Sequence, residues 1–205
     1  MSENRFVITV TRQFGSMGRP IAMKLAETLG IEYYDRDIVD KTAEKLNLPS
    51  AVVDEMEEKA RHEYVNPYMR MRYPLGRQST SAQQDRIFET QKKIIEFLAG
   101  QHSCVIIGRC ADFILADHPN SMHIYIYAPY ACRLKHCTQD LGLSEEDGKK
   151  MIHDVDQARQ AYHERYAGCL PGDPKYKDIL INSAFLGTER SAEYLARLAE
   201  IRFGL

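Results

Sequence analysis

The sequence has no strong charge of either sign, no long apolar run and no C-x-x-C pair. Its 27 basic and 29 acidic residues leave a formal net charge of −2, so no overall basic field favours nucleic acid. No apolar run approaches the roughly 20 residues that a membrane span needs, and residues 1–5 do not resemble a signal peptide. The five cysteines are scattered, which indicates reduced thiols. We therefore expect a cytoplasmic protein without nucleic-acid or membrane partners.

Five short apolar segments predict the strands of a parallel sheet. They read as apolar throughout and are separated by helical stretches, a pattern typical of a sheet that helices cover on both faces. A length of 205 residues favours a single domain over residues 1–205, with room for a lid or an insertion. The predicted strands are residues 6–10, 31–34, 103–107, 123–127 and 178–182. The predicted helices that follow the first one are residues 85–98, 111–116, 131–141, 144–166 and 188–202.

The stretch from residue 49 to residue 82 breaks this alternation. It begins with a helical pattern, and between residues 64 and 77 it mixes arginine and tyrosine with two prolines. A segment of this length inside a compact domain is usually functional or disordered. Two interpretations stay open: an insertion that grips a substrate, or a surface loop that could serve as a homodimer contact.

The loop after the first strand has the features of a phosphate cradle. It contains glycines and leads into a helix with Ile21, Leu25 and Leu29 on one face. The N-terminus of a helix offers unpaired N–H groups and a partial positive charge to an anion. The match to G-x-x-x-x-G-K-[ST] is imperfect, because Arg19 replaces the lysine and Pro20 the hydroxyl residue. The candidate phosphate-binding residues are Arg12, Gly15, Ser16, Met17, Gly18, Arg19 and Pro20.

Acids and arginines also follow the other predicted strands. Asp35 comes directly after the second strand, Arg109 after the third, and Arg133 a few residues after the fourth. Ligands of open parallel sheets bind beyond the carboxyl ends of the strands. Charged groups at three neighbouring strand ends therefore predict a site for phosphates and a divalent cation. Asp35 is the first candidate for the cation, with Asp37 and Asp112 behind it.

Several segments together resemble the cytidylate kinase-like proteins, a branch of the P-loop nucleoside monophosphate kinase superfamily. The matching segments are residues 8–19, 31–38, 106–112, 156–162 and 179–182, so the resemblance covers nearly the whole chain. It implies a three-layer α/β/α fold with a five-stranded parallel sheet. It also implies an acceptor-binding insertion at about residues 49–82 and a helical lid at about residues 133–170.

The resemblance further implies the roles of individual residues. ATP would be the donor, Mg²⁺ would be held by Asp35, and the acceptor would be cytidylate, another nucleoside monophosphate or a further small molecule. Arginines would surround the transferring phosphoryl group, as in-line transfer requires. The implied catalytic residues are Arg19, Asp35, Arg133 and Arg159. The implied acceptor-binding residues are Arg36, Asp37, Gly108, Arg109 and Asp156.

Two departures from the family pattern keep an alternative open. Pro20 has no hydroxyl to bind magnesium, and Ile107 stands where authentic cytidylate kinases have an acid. The alternative is a non-catalytic nucleotide-binding or sensor protein with a degenerate phosphate loop. A dinucleotide-binding domain is weaker, because the loop lacks G-x-G-x-x-G. His163 could act as an acid or base, although a packed or exposed helix histidine is favoured.

Overall fold

The computed structural model describes residues 5–47 and 81–205, and these residues form five β-strands and seven α-helices. Residues 48–80, and with them nearly all of the predicted insertion, lie outside the described residues. The strands are β1 (Val7–Arg12), β2 (Glu32–Tyr34), β3 (Cys104–Ile107), β4 (Ser121–Tyr127) and β5 (Ile179–Asn182). The helices are α1 (Gly18–Leu29), α2 (Arg36–Leu46), α3 (Ser81–Gln101), α4 (Ala111–Ile114), α5 (Tyr130–Gln139), α6 (Glu145–Ala167) and α7 (Ser183–Phe203).

The five strands form one parallel sheet in the order β2-β3-β1-β4-β5. All carboxyl ends therefore lie at the same edge, and β1 is central, with β3 on one side and β4 on the other. The loop after β1 leaves the sheet where the strand order reverses, which is the usual ligand position in open α/β sheets. The predicted five-stranded parallel sheet is confirmed.

Each face of the sheet has its own apolar core. On one face, Ile8 and Val10 of β1 pack with Ile21 and Leu25 of α1 and with α7. This contact confirms the apolar face predicted for the first helix. On the other face a second cluster joins β1 and β3 to α2, α3 and α4. The arrangement is the predicted three-layer α/β/α fold.

Helices α5 and α6 form the region that the sequence predicted as a lid. Their crossing is close, since a Cβ at Gly148 would lie 3.1 Å from the Leu134 side chain. The Ser144 hydroxyl accepts a hydrogen bond from the Asp147 amide and so caps the start of α6. The C-terminal half of α6 packs on α3, where the rings of Phe88 and Tyr166 stack with centroids 4.1 Å apart.

Three features differ from the sequence-based expectation. Helix α2 was not predicted. Most of its residues are polar, and its buried face includes Ile38. Helix α7 begins at residue 183 instead of 188, with a break at Gly187 (φ 75°, ψ 178°). The helical spacing of Tyr194, Leu195, Leu198 and Ile201 predicts one apolar face for α7, but Tyr194 and Ile201 are 51% and 68% exposed. Among the described residues, no helix combines the length and apolarity that a bilayer crossing requires.

Candidate functional site

The loop between β1 and α1 is held in a tight conformation. Gly15 and Met17 both have positive φ, 74° and 60°, and α1 begins immediately after Met17. A left-handed conformation at a residue other than glycine costs roughly 1–2 kcal/mol. The Ser16 hydroxyl donates to the carbonyls of Gln13 (2.9 Å) and Ile126 (3.2 Å), which ties the loop to β4. The N–H groups at the start of α1 are thus presented at the carboxyl edge of the sheet, as an anion site requires.

The side chain of Arg12, the last residue of β1, passes between Gly18 and Gly108. A Cβ at Gly18 would lie 2.6 Å from the Arg12 Cβ, and a Cβ at Gly108 would collide with the Arg12 guanidinium. Any side chain at either position would displace Arg12. The two glycines therefore fix the position of this arginine at the carboxyl edge of the sheet.

Two charged residues of the predicted lid form hydrogen bonds to the backbone of the loop between β1 and α1. Asp156 of α6 accepts a hydrogen bond from the Phe14 amide at 2.7 Å, and Arg133 of α5 donates to the Phe14 carbonyl at 3.2 Å. Arg133 and Asp156 also form an ion pair with each other. The lid thus binds both backbone polar groups of one loop residue, Phe14. These contacts indicate that Arg133 and Asp156 position the phosphate loop, and their predicted roles in catalysis and acceptor binding stay predictions.

Asp35, at the end of β2, is surrounded by donors. Its Oδ1 lies 2.9 Å from Arg109, and its Oδ2 pairs with Arg19 and accepts from the Tyr33 hydroxyl at 3.4 Å. Burial alone would raise the pKa of Asp35, but the positive charges of Arg109, Arg19 and Arg12 outweigh it and lower the pKa. Burial and the Asp35 charge raise the pKa of Tyr33 to about 12. Asp35 is therefore an ionised carboxylate that holds two arginines.

The arginines beside the loop line one small pocket. Arg12, Arg109 and Arg159 all reach it, and Arg159 donates to the Arg12 carbonyl at 3.3 Å. Its volume is about 50 Å³, several times the roughly 10–15 Å³ that one water needs in a cavity. Three arginines around a pocket of this size suit one tetrahedral anion. The lining residues are Thr11, Arg12, Gly108, Arg109, Cys110, Arg159, Tyr162, His163 and Pro171.

A second charged group lies buried beside this pocket. Asp112 of α4 pairs through Oδ2 with His163 Nε2 at 2.9 Å and with the Lys177 ammonium. The side chains of all three residues are at most 5% exposed. Burial would raise the pKa of Asp112, but hydrogen bonds and charge from His163 and Lys177 lower it to about 2. His163 is a packed residue, as the sequence favoured, whereas Lys177 was not singled out.

The described residues do not fit a magnesium ion held by the protein. Both oxygens of Asp35 already face arginines, and Pro20 offers no hydroxyl. The Ser16 hydroxyl donates to backbone carbonyls, and Asp112 is occupied by His163 and Lys177. No group of three histidine, cysteine or acidic residues suited to a metal occurs within residues 5–47 and 81–205. A cation at this site would need ligands from the nucleotide itself.

The remaining predicted acceptor residues lie at the same edge. Arg36 is the first residue of α2, and Asp37 lies in the first turn of that helix with an exposed side chain. Gly108 and Arg109 form the turn after β3, both with positive φ (73° and 55°). The structure therefore brings the ends of β1, β2 and β3 together as predicted. Residues 48–80, which include nearly all of the predicted acceptor-binding insertion, lie outside the described residues.

Comparisons with known proteins agree with this geometry. The model of the cytidylate kinase-like family matches residues 7–184. Among curated proteins, none matches the chain. A crystal structure of an uncharacterised protein from Eubacterium ventriosum ATCC 27560 is 24% identical, with a TM-score of 0.70, covering 96% of this chain and 99% of that one. The shikimate kinase of Bacteroides thetaiotaomicron is 12% identical, with a TM-score of 0.54 and coverage of 98% and 99%. At these identities the solved structures show a shared fold.

Proposed function

The chain belongs to the cytidylate kinase-like family, and from that premise we propose that it transfers a phosphoryl group from a nucleoside triphosphate to a small acceptor. ATP is the donor we propose, and cytidylate or another nucleoside monophosphate is the first acceptor to test. The observation that carries the proposal is the convergence of Arg12, Arg109 and Arg159 on one pocket beside the phosphate loop. Because the transferring phosphoryl carries charge on three oxygens, such a cluster stabilises the transition state.

The loop and the start of α1 would bind the donor phosphates. The N–H groups of residues 15–19 supply donors, and Arg19 adds a positive charge where related loops have lysine. The Arg19 side chain is 53% exposed, so it can leave Asp35 for a phosphate without breaking a buried packing contact. Arg109, held by Asp35 on the other side, would bind the phosphate of the acceptor.

Helix α6 would close the site over the transferring group. Arg159 projects from this helix toward the Arg12 carbonyl, and Asp156 one turn earlier holds the loop. Closure of such a helix excludes water, so that transfer is favoured over hydrolysis. Arginines that contact the transferring phosphoryl are worth about 10³–10⁵ in rate. We assign that role to Arg159.

A nucleotide sensor without catalytic activity is the alternative. It is favoured by the engagement of Arg19 with Asp35 and by the missing hydroxyl at Pro20. A sensor needs the phosphate loop to bind a nucleotide. It does not need the pocket beside the loop, where three arginines would bind a further phosphoryl group. The two functions therefore differ in whether an acceptor is phosphorylated.

A coupled assay for ADP release distinguishes them. The purified protein, with ATP and Mg²⁺, is tested against a panel of nucleoside monophosphates and small hydroxyl acids. We expect turnover with one acceptor class and a loss of at least about 10³-fold for Arg159→Ala. Arg197→Ala is the matched control, because Arg197 is an exposed arginine on α7 that pairs with Glu200. Tight nucleotide binding without turnover for any acceptor would establish the sensor instead.

A further inference from the structure

The buried histidine beside the arginine pocket lies between two hydrogen-bond acceptors. Nε2 of His163 is 2.9 Å from Oδ2 of Asp112, and Nδ1 is 2.9 Å from the carbonyl oxygen of Cys169. A carbonyl oxygen accepts only, and an ionised carboxylate also accepts only. Asp112 is ionised because the adjacent Lys177 ammonium and His163 lower its pKa to about 2. Both ring nitrogens must then carry protons, so this geometry requires the imidazolium form.

This imidazolium joins the parts of the chain that form the pocket. His163 lies one turn after Arg159 on α6, so the two side chains share a face of the helix. Asp112 lies three residues after Arg109, in the first turn of α4. The Cys169 carbonyl begins the loop that brings Pro171 to the pocket wall. One side chain thus links the helix of Arg159 to the helix after Arg109 and to a wall of the pocket.

The neutral ring would bind differently. The Cys169 sulfur lies 3.7 Å from Nδ1, so the thiol can donate to a ring that has lost its Nδ1 proton. The bond from Nδ1 to the Cys169 carbonyl would then be lost, while Nε2 could still donate to Asp112. The loop at Cys169 would exchange one hydrogen bond for a weaker one to sulfur. Loss of one proton therefore weakens the hold on the loop and leaves the contact to α4.

We propose that His163 is a positioning residue for Arg159, and that in its imidazolium form it fixes helix α6 and the loop at Cys169 around the anion pocket. It does not accept a proton from a substrate, since both of its nitrogens are occupied within the protein. The inference rests on the proposed function only in taking this pocket as the site that binds a phosphoryl group. Without the two hydrogen bonds of this ring, the pocket loses affinity for an anion.

The groups that face His163 set the balance between its two forms. Asp112 of α4 favours the positive ring, and the Lys177 ammonium on the same carboxylate opposes it. Arg12, Arg109 and Arg159 line the same pocket and also oppose a positive ring. The Cys169 thiol is a further titratable contact, and burial raises its pKa. His123 of β4 interacts through its charge with Asp112 and Lys177.

Sulfate affinity measures the pocket without any phosphoryl transfer. Sulfate keeps its charge between about pH 5.5 and pH 9, so a change in its affinity reports the protein. Calorimetry at one pH within this range measures the affinity of the wild-type chain and of its variants. Nitrogen NMR of the His163 ring should show two protonated nitrogens at the low end.

The variants separate positioning from general stability. His163→Gln should weaken sulfate binding about tenfold, a typical size for coupling between residues in one network. It should have no further effect in an Arg159→Ala background, because the histidine acts through that arginine. His153→Gln, an exposed histidine on the same helix, is the matched control and should bind sulfate like the wild type. Hydrogen exchange should rise in residues 156–171 of His163→Gln and stay unchanged in α7.

Two results would overturn the proposal. The first is a neutral His163 ring at the low end of the pH range, and the second is an equal loss of affinity for His163→Gln with and without Arg159. If His163→Gln does not fold, the ring spectrum still decides. Failure of the kinase assay would leave all of these measurements unaffected.

Discussion

Asp35 and Asp112 are both buried carboxylates with two cationic partners, yet their surroundings differ. Asp35 pairs with Arg109 and with Arg19, whose side chain is 53% exposed. Asp112 pairs with His163 and Lys177, whose side chains are 5% and 0% exposed. One cluster is open to solvent on one side, and the other is closed.

The difference indicates what each cluster can do. A partner at the surface can turn to a ligand at little cost, so the Asp35 cluster suits a site that changes contacts during a reaction. A closed cluster cannot lose a partner without leaving a buried charge, which is strongly destabilising. The Asp112 cluster therefore suits a fixed support for the elements around the pocket. The same residue type serves binding in one place and positioning in the other.

The largest expected effect is on the stability of the closed cluster. Asp112→Ala leaves the cations of His163 and Lys177 buried without their carboxylate, so the free energy of unfolding should fall by about 3–5 kcal/mol. Urea denaturation followed by circular dichroism measures it. Asp140→Ala, which removes an exposed partner of His136, is the control and should change stability by less than about 1 kcal/mol. A loss as small as that of the control would show that the cluster is not a support.

The open cluster should affect activity instead. In Asp35→Ala, Arg19 and Arg109 lose their common anchor, and kcat/KM in the ADP-release assay should fall about 100-fold, since small misplacements of positioning groups cost that much. The same assay on Asp140→Ala should give wild-type rates. If Asp35→Ala kept full activity, the two arginines would not depend on Asp35 for their positions.

Acid should weaken the closed cluster over a defined interval. The folded pKa of Asp112, about 2, lies below its ordinary 3.8. The stabilisation from its ionised form is therefore complete above pH 3.8 and is lost as the pH falls toward 2. The loss should be on the order of 2 kcal/mol. Unfolding free energies of the wild type and Asp112→Asn, measured against pH, should differ in slope across this interval. Parallel curves would contradict the assignment.

The smallest effect is expected for an ion pair that belongs to neither cluster. Arg197 and Glu200 on α7 pair at 2.8 Å with largely exposed side chains. Glu200→Gln should change the unfolding free energy by less than about 0.5 kcal/mol, because solvent and salt screen such pairs. The measurement is the same urea titration. A larger change would mean that an exposed ion pair stabilises this protein as much as a buried one, which would contradict the comparison.

The sequence predicted the sheet and the main arginines because both follow from local patterns. Apolar runs give strands, and the strand-end rule places Asp35, Arg109 and the loop at one edge. The contacts of Asp156 with the loop, and the role of Lys177, could not be predicted. These contacts depend on how α6 packs across the sheet. The spacing of residues in the sequence does not predict that packing. Helix α2 was missed although its apolar and polar residues lie on separate faces.

Helix α3 has a consequence for the order in which the site assembles. It starts directly after residues 48–80, and its first half holds α6 through Asp85, Phe88 and Gln91. The segment expected to meet the acceptor is therefore covalently continuous with the surface on which the helix of Arg159 rests. An acceptor that displaced α3 would also displace Arg159, and a nucleotide that drew in Arg159 would favour one position of α3. Thermodynamic linkage makes this influence equal in both directions, so the two substrates would bind cooperatively.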